Sequence, residues 1–500
     1  MNIRTIIWRT SLAAVVLFMC GCTMARKVET FEQLRKASPR TLRAMATDRS
    51  IYELTSYTVR DSVLEGSGKR FVDGESAPFT GSLPYRDLVY IQMRTGGFWQ
   101  TLGAVSLAAL AVSYFQGSGE FSGMSIEPMG NSCPYVYAWN GSRYVREGEA
   151  FGTSFGRALE GETICMLSGA RARDGELLVR LTNERPETHY VNRVRLIAFD
   201  VPDGCAAIAD EGNRVWPVAD ARAPLNAPPA LRRNDGVRRT SEPDACAQSG
   251  YRDVVDLTFA RPVAAAGASL IVCAVNTDLV YNAFELTFGT LGDQSLVFLD
   301  QVENDPRLVE TLRDWIRRCS LSVEVWSGDR WVPAGVIAPE ASVAPFSRLV
   351  RLDARGVPGD AIHVRLSALA GMWELDSVAI DWSPAAPLDA RLLAVRAVTG
   401  RDGRDASAAV RETDADYATM LPGDRIDLAF AAVPDAGGRR SAYGLEVSGY
   451  LLEWPPAAEG VLIAESVDRV ALVNELIRRP EAFLPLVYDH WKRRRGAVAG

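Results

Sequence analysis

Apolar and polar residues change places along this chain with two different periods, and the switch between them divides it. From Tyr135 to Trp454 most segments alternate in steps of two, or run apolar between Gly, Pro, Asn and Asp clusters. That is the pattern of β-strands with one or both faces buried. PYVYAW and SRYVRE flank Asn140-Gly141, a hairpin signal in which both turn residues would take positive φ. GELLVRLTN, NRVRLIAFDV, YRDVVDLTF and ASLIVCAV follow, interrupted by a Pro-, Ala- and Arg-rich loop over 219–248. LSVEVW and RWVPAGVIA surround a Ser327-Gly328-Asp329 turn; RLVRLDA, AIHVRLSAL, WELDSVAIDW, RLLAVRAV, DRIDLAFAA and YGLEVSGYLLEW complete the series. Before them, IYELTSYTV, KRFVDG, FTGSLPY and DLVYIQMRT predict a small strand module over 51–95.

A helical period replaces the alternation in four places. Phe31 to Met45 predicts a helix bent or broken at Pro39. Residues 276–318 predict helix, with Leu308, Val309, Leu312, Trp315 and Ile316 on one face, Asp305 as N-cap and Pro306 in the first turn. Residues 465–479 and 481–494 predict closing helices. The fold class expected is mainly β and multi-domain, built of β-sandwich-like modules with interspersed helices and a C-terminal helical segment. The divisions expected are a signal at 1–21, a tether and short helix at 22–50, the strand module at 51–95 and an apolar helix at 96–118. A β domain at 119–275, a helical segment at 276–318, a sandwich at 319–455 and helices at 456–500 complete them. No fixed-period repeat points to a solenoid or propeller.

The first two dozen residues carry the clearest functional signal. Arg4 and Arg9 precede an apolar run from Ser11 to Met19, and Met19-Cys20-Gly21-Cys22 closes it. A basic region, a short apolar core and a small residue before a cysteine make an export signal ending in a lipobox. The core is too short for a permanent span. Cys22 is the expected lipidation site, and the mature chain is expected outside the cytosol, held to a membrane by acyl groups. Thr23 follows it where an aspartate would hint at inner-membrane retention, so the outer membrane of a Gram-negative cell, facing the periplasm, is expected.

Residues 96–118 carry no charge, and TLGAVSLAALAVSYF is long enough to cross a bilayer. The next basic residue after Arg94 is Arg143, which is poor support for a stop-transfer helix. A buried or membrane-inserted helix, a true span, and a membrane-associated oligomer through 97–116 all remain open.

Composition narrows the rest. The 500 residues are 47% hydrophobic and 23% charged with a net charge of −7, ordinary globular values that give no support for nucleic-acid binding. The basic run Lys492–Arg495 reads as a solvated helix end. Cys133, Cys165, Cys205, Cys246, Cys273 and Cys319 remain after the export signal, and an even number in an exported chain predicts disulfides. Six cysteines allow fifteen connectivities. Sequential pairing is favoured, with Cys205–Cys246 closing the Arg-rich loop for about 3–4 kcal/mol; several buried free thiols are the alternative. No CxxC pair exists, and no cofactor or metal motif is found.

Ser132-Cys133-Pro134-Tyr135-Val136-Tyr137-Ala138-Trp139-Asn140-Gly141, continuing through Tyr144 to Gly148-Glu149, resembles a family of uncharacterised bacterial envelope lipoproteins. Its members carry a CPxxYxxxGxxYxxxGE hairpin and a strand motif TNExxETxY, here Thr182-Asn183-Glu184-Arg185-Pro186-Glu187-Thr188-His189-Tyr190. Trp373–Asp376, LPGDRIDLAF and SGYLLEW extend the resemblance over most of 50–455. It implies an envelope location and no particular chemistry. Relatives often have a longer charged linker where this chain has AVPDAGGRRSAYG.

Candidate chemistry is sparse. Gly152-Thr153-Ser154-Phe155-Gly156 satisfies G-x-S-x-G, but the polar REGEAF before it lacks the buried strand a nucleophile elbow needs. Glu184 and Glu187 could supply oxygen ligands or a glycosidase carboxylate pair, or pair with Arg180, Arg185 and Arg193 as an ion network. Tyr135, Tyr137, Trp139 and Tyr144 could stack on sugar rings or pack across the hairpin. His189, His363 and His490 share no metal-ligand spacing. The carboxylates of 402–416 read as solvated. These observations predict a non-enzymatic, lipid-anchored binding or assembly module with a protein or glycan partner in the envelope. A hydrolase of glycan or ester using Glu184, Glu187 or Ser154 is the alternative.

Overall fold

The computed structural model describes residues 24–27, 41–95, 134–453 and 469–499, with short gaps inside the middle two stretches. Cys22, Cys133 and the apolar segment 97–116 lie outside the described residues. The chain divides into two units, Met1–Pro128 and Met129–Gly500.

In the first unit, β1 (Met24–Lys27), β2 (Thr41–Ala46), β3 (Ile51–Val59), β4 (Val63–Val72), β5 (Glu75–Pro84) and β6 (Leu88–Thr95) form one antiparallel sheet. Its order is β1-β6-β2-β3-β4-β5. The helix expected up to Met45 is replaced at its end by β2, and residues 31–40 lie outside the described ones. Leu42, Ala44 and Ala46 are all buried, a two-residue period that feeds one face of the sheet beside Leu54 and Ile91.

In the second unit the chain first lays down β7 (Tyr135–Trp139), β8 (Tyr144–Glu149), β9 (Gly161–Met166), β10 (Glu176–Thr182) and β11 (Glu187–Pro202). A hairpin, β12 (Ala206–Ala209) and β13 (Val215–Val218), follows, then β14 (Ala221–Arg222), β15 (Arg252–Ala260) and β16 (Gly267–Asn276). Three helices come next: α1 (Leu279–Leu291), α2 (Ser295–Asn304) and α3 (Pro306–Cys319). The Asp305 side chain accepts from the Arg307 amide at 2.9 Å, and Pro306 occupies the first turn, so α3 starts on a formed cap. Strands β17 (Leu321–Trp326), β18 (Trp331–Ile337), β19 (Phe346–Asp353), β20 (Ala361–Leu369) and β21 (Trp373–Asp381) lead to β22 (Ala390–Leu392) and β23 (Val395–Gly400). The chain ends with β24 (Ala418–Met420), β25 (Arg425–Ala431), β26 (Arg439–Glu453), α4 (Arg469–Arg478) and α5 (Pro480–Ala499).

These strands build two nested sandwiches. Sheets β23-β25-β10-β7-β8 and β22-β11-β26-β9 face each other across Val136, Val179, Val194, Leu196, Phe430 and Val447. Sheets β14-β21-β16-β19 and β15-β20-β17-β18 enclose a second core of Leu257, Phe259, Val272, Val323, Val364 and Val378, which continues into the helices. The expected break into a 119–275 domain and a 319–455 domain is therefore corrected. β11 pairs with β26 from Glu187↔Glu453 to Pro202↔Arg439, and β10 pairs with β25 from Glu176↔Ala431 to Thr182↔Arg425. The second sandwich is an insertion in the first, whose last strands close beside its early ones. Period-two patterning fixes which face of a strand is buried but leaves its partner open.

Two local expectations are also revised. The Asn140 amide donates to Arg143 O, and Asn140 Oδ1 accepts from the Ser142 and Arg143 amides, making a four-residue loop with Gly141 at φ +101°. Positive φ at both turn positions occurs instead at Asp174 (+51°) and Gly175 (+79°), where Arg173 and Glu176 exchange both backbone bonds.

The expected disulfides are not formed among the described cysteines: Cys165, Cys205, Cys246, Cys273 and Cys319 are free thiols. Cys205 lies beyond β11, where its carbonyl accepts from Arg440 at 2.8 Å, whereas the Cys246 carbonyl accepts from the Tyr251 amide, just before β15 of the second sandwich. The loop between them is held by ion pairing, Arg239 to Asp253 at 2.6 Å, and by Arg239 bridging to Leu375. Burial pushes the Cys319 thiol up to about 12 and the Cys165 thiol further still, so both stay protonated.

Candidate functional site

The residues singled out by the sequence do not converge. Glu184 is exposed and accepts from Tyr137 Oη and Thr182 Oγ1, both at 2.8 Å. Glu187 is 1% exposed, and its Oε1 lies 2.6 Å from His189 Nε2 on the inner side of β11. The expected carboxylate pair is thus split between surface and interior. His189 is fully buried with Nδ1 left unpartnered, and its ring meets Phe151 edge-on at 6.4 Å.

Ser154 does not join them. His189 pairs with Leu451 across the sheet, while Phe155 bridges to Leu451 from its other side and Ser154 O accepts from the Leu451 amide. No hydrogen bond joins the Ser154 and His189 side chains: His189 Nε2 is taken by Glu187 and its Nδ1 has no partner. Among the described residues no group of three or more His, Cys, Asp or Glu could hold a metal.

Three of the four hairpin aromatics are covered by guanidinium groups, and the fourth, Tyr137, donates its hydroxyl to Glu184. Arg146 lies over Tyr135, Arg173 over Trp139 at 5.4 Å, and Arg180 over Tyr144 at 4.3 Å, while Trp139 and Tyr144 meet edge-on. Tyr135 is buried, its hydroxyl accepting from Arg185 Nε at 3.2 Å. Rings capped in this way are occupied by packing and cation–π contact rather than presented to a sugar.

Motif residues instead hold the first sandwich together. Asn183, fully buried, donates to Glu187 O and Met420 O, and its carbonyl accepts from Gly423, so the TNERPET turn and the LPGD turn are one unit. Asn192 sits at a bulge in β11 and bonds Glu160 Oε1 and Asp414 through its side chain. Through Asp414 it pins one end of the 402–416 loop.

That scaffold positions a recess the motifs did not reveal. The GTSFG segment leaves β8 at Phe151, whose φ of +39° is unusual for an aromatic residue. Its amide donates to Thr163 Oγ1, and its ring lies over Gly449, where a Cβ would fall 2.3 Å from Tyr190 O and 2.9 Å from the ring. Phe155 then projects from the sandwich and meets the Phe284 ring of α1, the centroids 3.8 Å apart and the planes tilted by 36°. Glu160 anchors the far end by accepting from Tyr417 Oη at 2.8 Å.

Beyond Phe155 lies a cavity with room of about 100 Å³ for the centre of a water-sized sphere. Thr153, Phe155 and Leu159 wall it from the first sandwich, and Pro339, Leu369 and Met372 from the second. Helix α1 contributes Leu279, Val280, Ala283, Phe284, Thr287 and Phe288; α2 and α3 add Phe298, Val302, Leu312, Trp315 and Cys319. Ile477 of α4 and Phe483, Leu484 and Val487 of α5 close it. The Thr287 hydroxyl is spent on Ala283 O at 2.8 Å, and no charged side chain lines the space. Trp315 Nε1 donates to Ile477 O, and Trp491 Nε1 to Asp278 Oδ1, both at 2.6 Å, fixing the two closing helices against α3 and the start of α1. The signal was present in LVYNAFELTFGTL, a helix too evenly apolar for a surface position.

A charged cluster marks the junction between the sandwiches. Arg348, 4% exposed, forms a two-pronged pair with Glu340 and donates to Ile164 O of β9 at 3.1 Å. Glu211 accepts from the Ala338 amide at 3.2 Å. Crowding by protein atoms, which strips part of its hydration although the side chain still meets solvent, and then the charge of Glu340, push the Glu211 carboxyl up to about 7.

No protein-family model and no curated protein sequence matches this chain. Among solved structures, a chain of the Sulfolobus turreted icosahedral virus aligns over 65% of this chain and 97% of its own. The identity is 8% and the TM-score 0.14, a likeness too slight to carry an argument.

Proposed function

We propose that this chain is a lipid-anchored protein of the bacterial cell envelope, attached through Cys22, whose body binds a partner or ligand rather than catalysing a reaction. The periplasmic face of the outer membrane is the expected location, on the strength of Thr23 after the acylated cysteine. The observation that carries the binding half of this reading is the cavity behind Phe155: it is walled mainly by apolar side chains, and its Thr153 and Thr287 hydroxyls and the protonated Cys319 thiol have no acid or base beside them on the wall. Such a space can hold a molecule but supplies no proton transfer. Several acyl chains bind membranes far more firmly than one, so the mature protein should partition with membranes.

Labelled palmitate incorporation and membrane fractionation of the wild type and Cys22→Ala test the anchor. Labelling confined to the wild type, with the variant unprocessed or released, is the expected result. A Cys22→Ala chain that is processed and membrane-attached like the wild type would overturn it. Co-isolation from solubilised membranes tests the binding role: a stoichiometric envelope protein or glycan supports it.

A further inference from the structure

We infer that the cavity behind Phe155 is a binding site for the single hydrocarbon chain of a free fatty acid. The inference deepens the reading of the body as a binding module and names its ligand class. Three properties of the space lead to it. The first is chemistry: the Thr287 hydroxyl is already bonded within its helix, Thr153 supplies the other hydroxyl on the wall, and no cation or carboxylate faces inward, so a charged ligand would lose its water with little replacement. Apolar walls of this kind favour an apolar guest over water.

Shape is the second. The α1 wall runs from Leu279 to Phe288, which at 1.5 Å per residue is about 13 Å. Laid out along that wall, about 100 Å³ of room corresponds to a mean width of about 6 Å once a sphere radius of ~1.4 Å is added on each side. With carbon–carbon contacts at about 3.5–4.0 Å, one extended alkyl chain fits that width and two side by side do not. A two-chain phospholipid is therefore disfavoured.

The third is access. Phe155, Phe284, Leu312 and Trp315 are only half-buried, so the space reaches the surface along an apolar rim. A carboxylate can remain in water there while the chain threads inward. No covalent step is involved.

The test uses the full-length, detergent-solubilised and delipidated protein. Titration with palmitic acid should give saturable binding and raise the melting temperature, and 9,10-dibromostearic acid should quench tryptophan emission. In Trp315→Phe most of that quenching should vanish while palmitate still binds, because quenching acts at contact and Trp315 lines the cavity. Ala283→Phe, which fills the space from the α1 wall, should weaken palmitate binding at least tenfold; Thr287→Leu is a milder block should Ala283→Phe not fold. Phosphatidylethanolamine vesicles free of fatty acid should not displace the brominated acid.

Absence of palmitate binding overturns the inference. So do quenching unchanged in Trp315→Phe, affinity unchanged in the folded blocking variant, and displacement by phosphatidylethanolamine as effective as by palmitate. These measurements need neither acylation at Cys22 nor any protein partner, so their failure is separable from failure of the envelope-anchor reading.

Discussion

Filling the cavity should stabilise the empty protein, and the size of the effect follows from its volume. At ~24 cal/mol per Å³, an unfilled space of about 100 Å³ costs at most about 2.4 kcal/mol, and less where its rim meets water. Ala283 lies on the α1 wall and is half-buried. Ala283→Leu adds three carbon atoms pointing into the space, and at about 0.8 kcal/mol per buried methylene they contribute roughly 2.4 kcal/mol. Ordering the new side chain takes back about 0.5–1 kcal/mol, and leucine is nearly as good a helix former as alanine. The net expectation is about 1.5 kcal/mol of added stability, read by urea denaturation of the delipidated protein. Saturating palmitate should shrink or reverse the difference, because the wild type gains RT ln(1 + [L]/Kd) and the filled variant does not. A loss of 1 kcal/mol or more on delipidated protein would refute the reasoning: it would mean that the space is already occupied by packed atoms and that leucine overpacks it.

Two further outcomes test the scaffold. Gly449→Ala would place a methyl 2.3 Å from Tyr190 O, a backbone atom held in the β11–β26 ladder, and 2.9 Å from the Phe151 ring. A loss of about 2–3 kcal/mol is expected by chemical denaturation, and a change below 0.5 kcal/mol would show that the two strands separate easily there. Glu211→Gln should act through pH. The raised carboxyl favours folding below about pH 4.5, and this contribution is lost as pH rises through about 7. Screening at this exposed residue reduces the effect to about 1 kcal/mol. The variant should match the wild type at pH 4.5 and exceed it by that amount at pH 8; equal curves at both values would show that Glu211 titrates normally.

Fold class was legible because alternation is a local property. Val179 and Leu181, or Leu366 and Val364, announce a buried face whatever strand lies beside them. Nesting was not legible, because pairing partners such as Leu181 and Ile426 are set by the whole arrangement. The helix expected to reach Met45 failed for a related reason: Leu42, Ala44 and Ala46 suit a strand, and the sheet partners β3 and β6 decided between the periods. The disulfide expectation failed where an even count was taken for proximity. Arg239–Asp253 and the Asp376 carboxylate, which accepts from the Asp235 and Gly236 amides, hold the loop that Cys205 and Cys246 bracket.

The site was the least legible part, and the reason lies in how its wall is assembled. Polar motif residues draw attention because burying them unpaired is costly, yet Asn183 and Asn192 are spent on tying loops. A cavity leaves no such mark, being an absence of atoms between side chains that are individually ordinary. Five helices and two sandwiches each contribute to this one, and Phe155 reaches it from a segment whose Phe151 ring packs over Gly449 of β26. The clue was negative: α1 carries apolar residues around most of its circumference, more than one packing face requires, so a second face had to be sheltered as well. Four other helices provide that shelter without filling it, which is why an alkyl chain rather than another side chain is the natural complement of this wall.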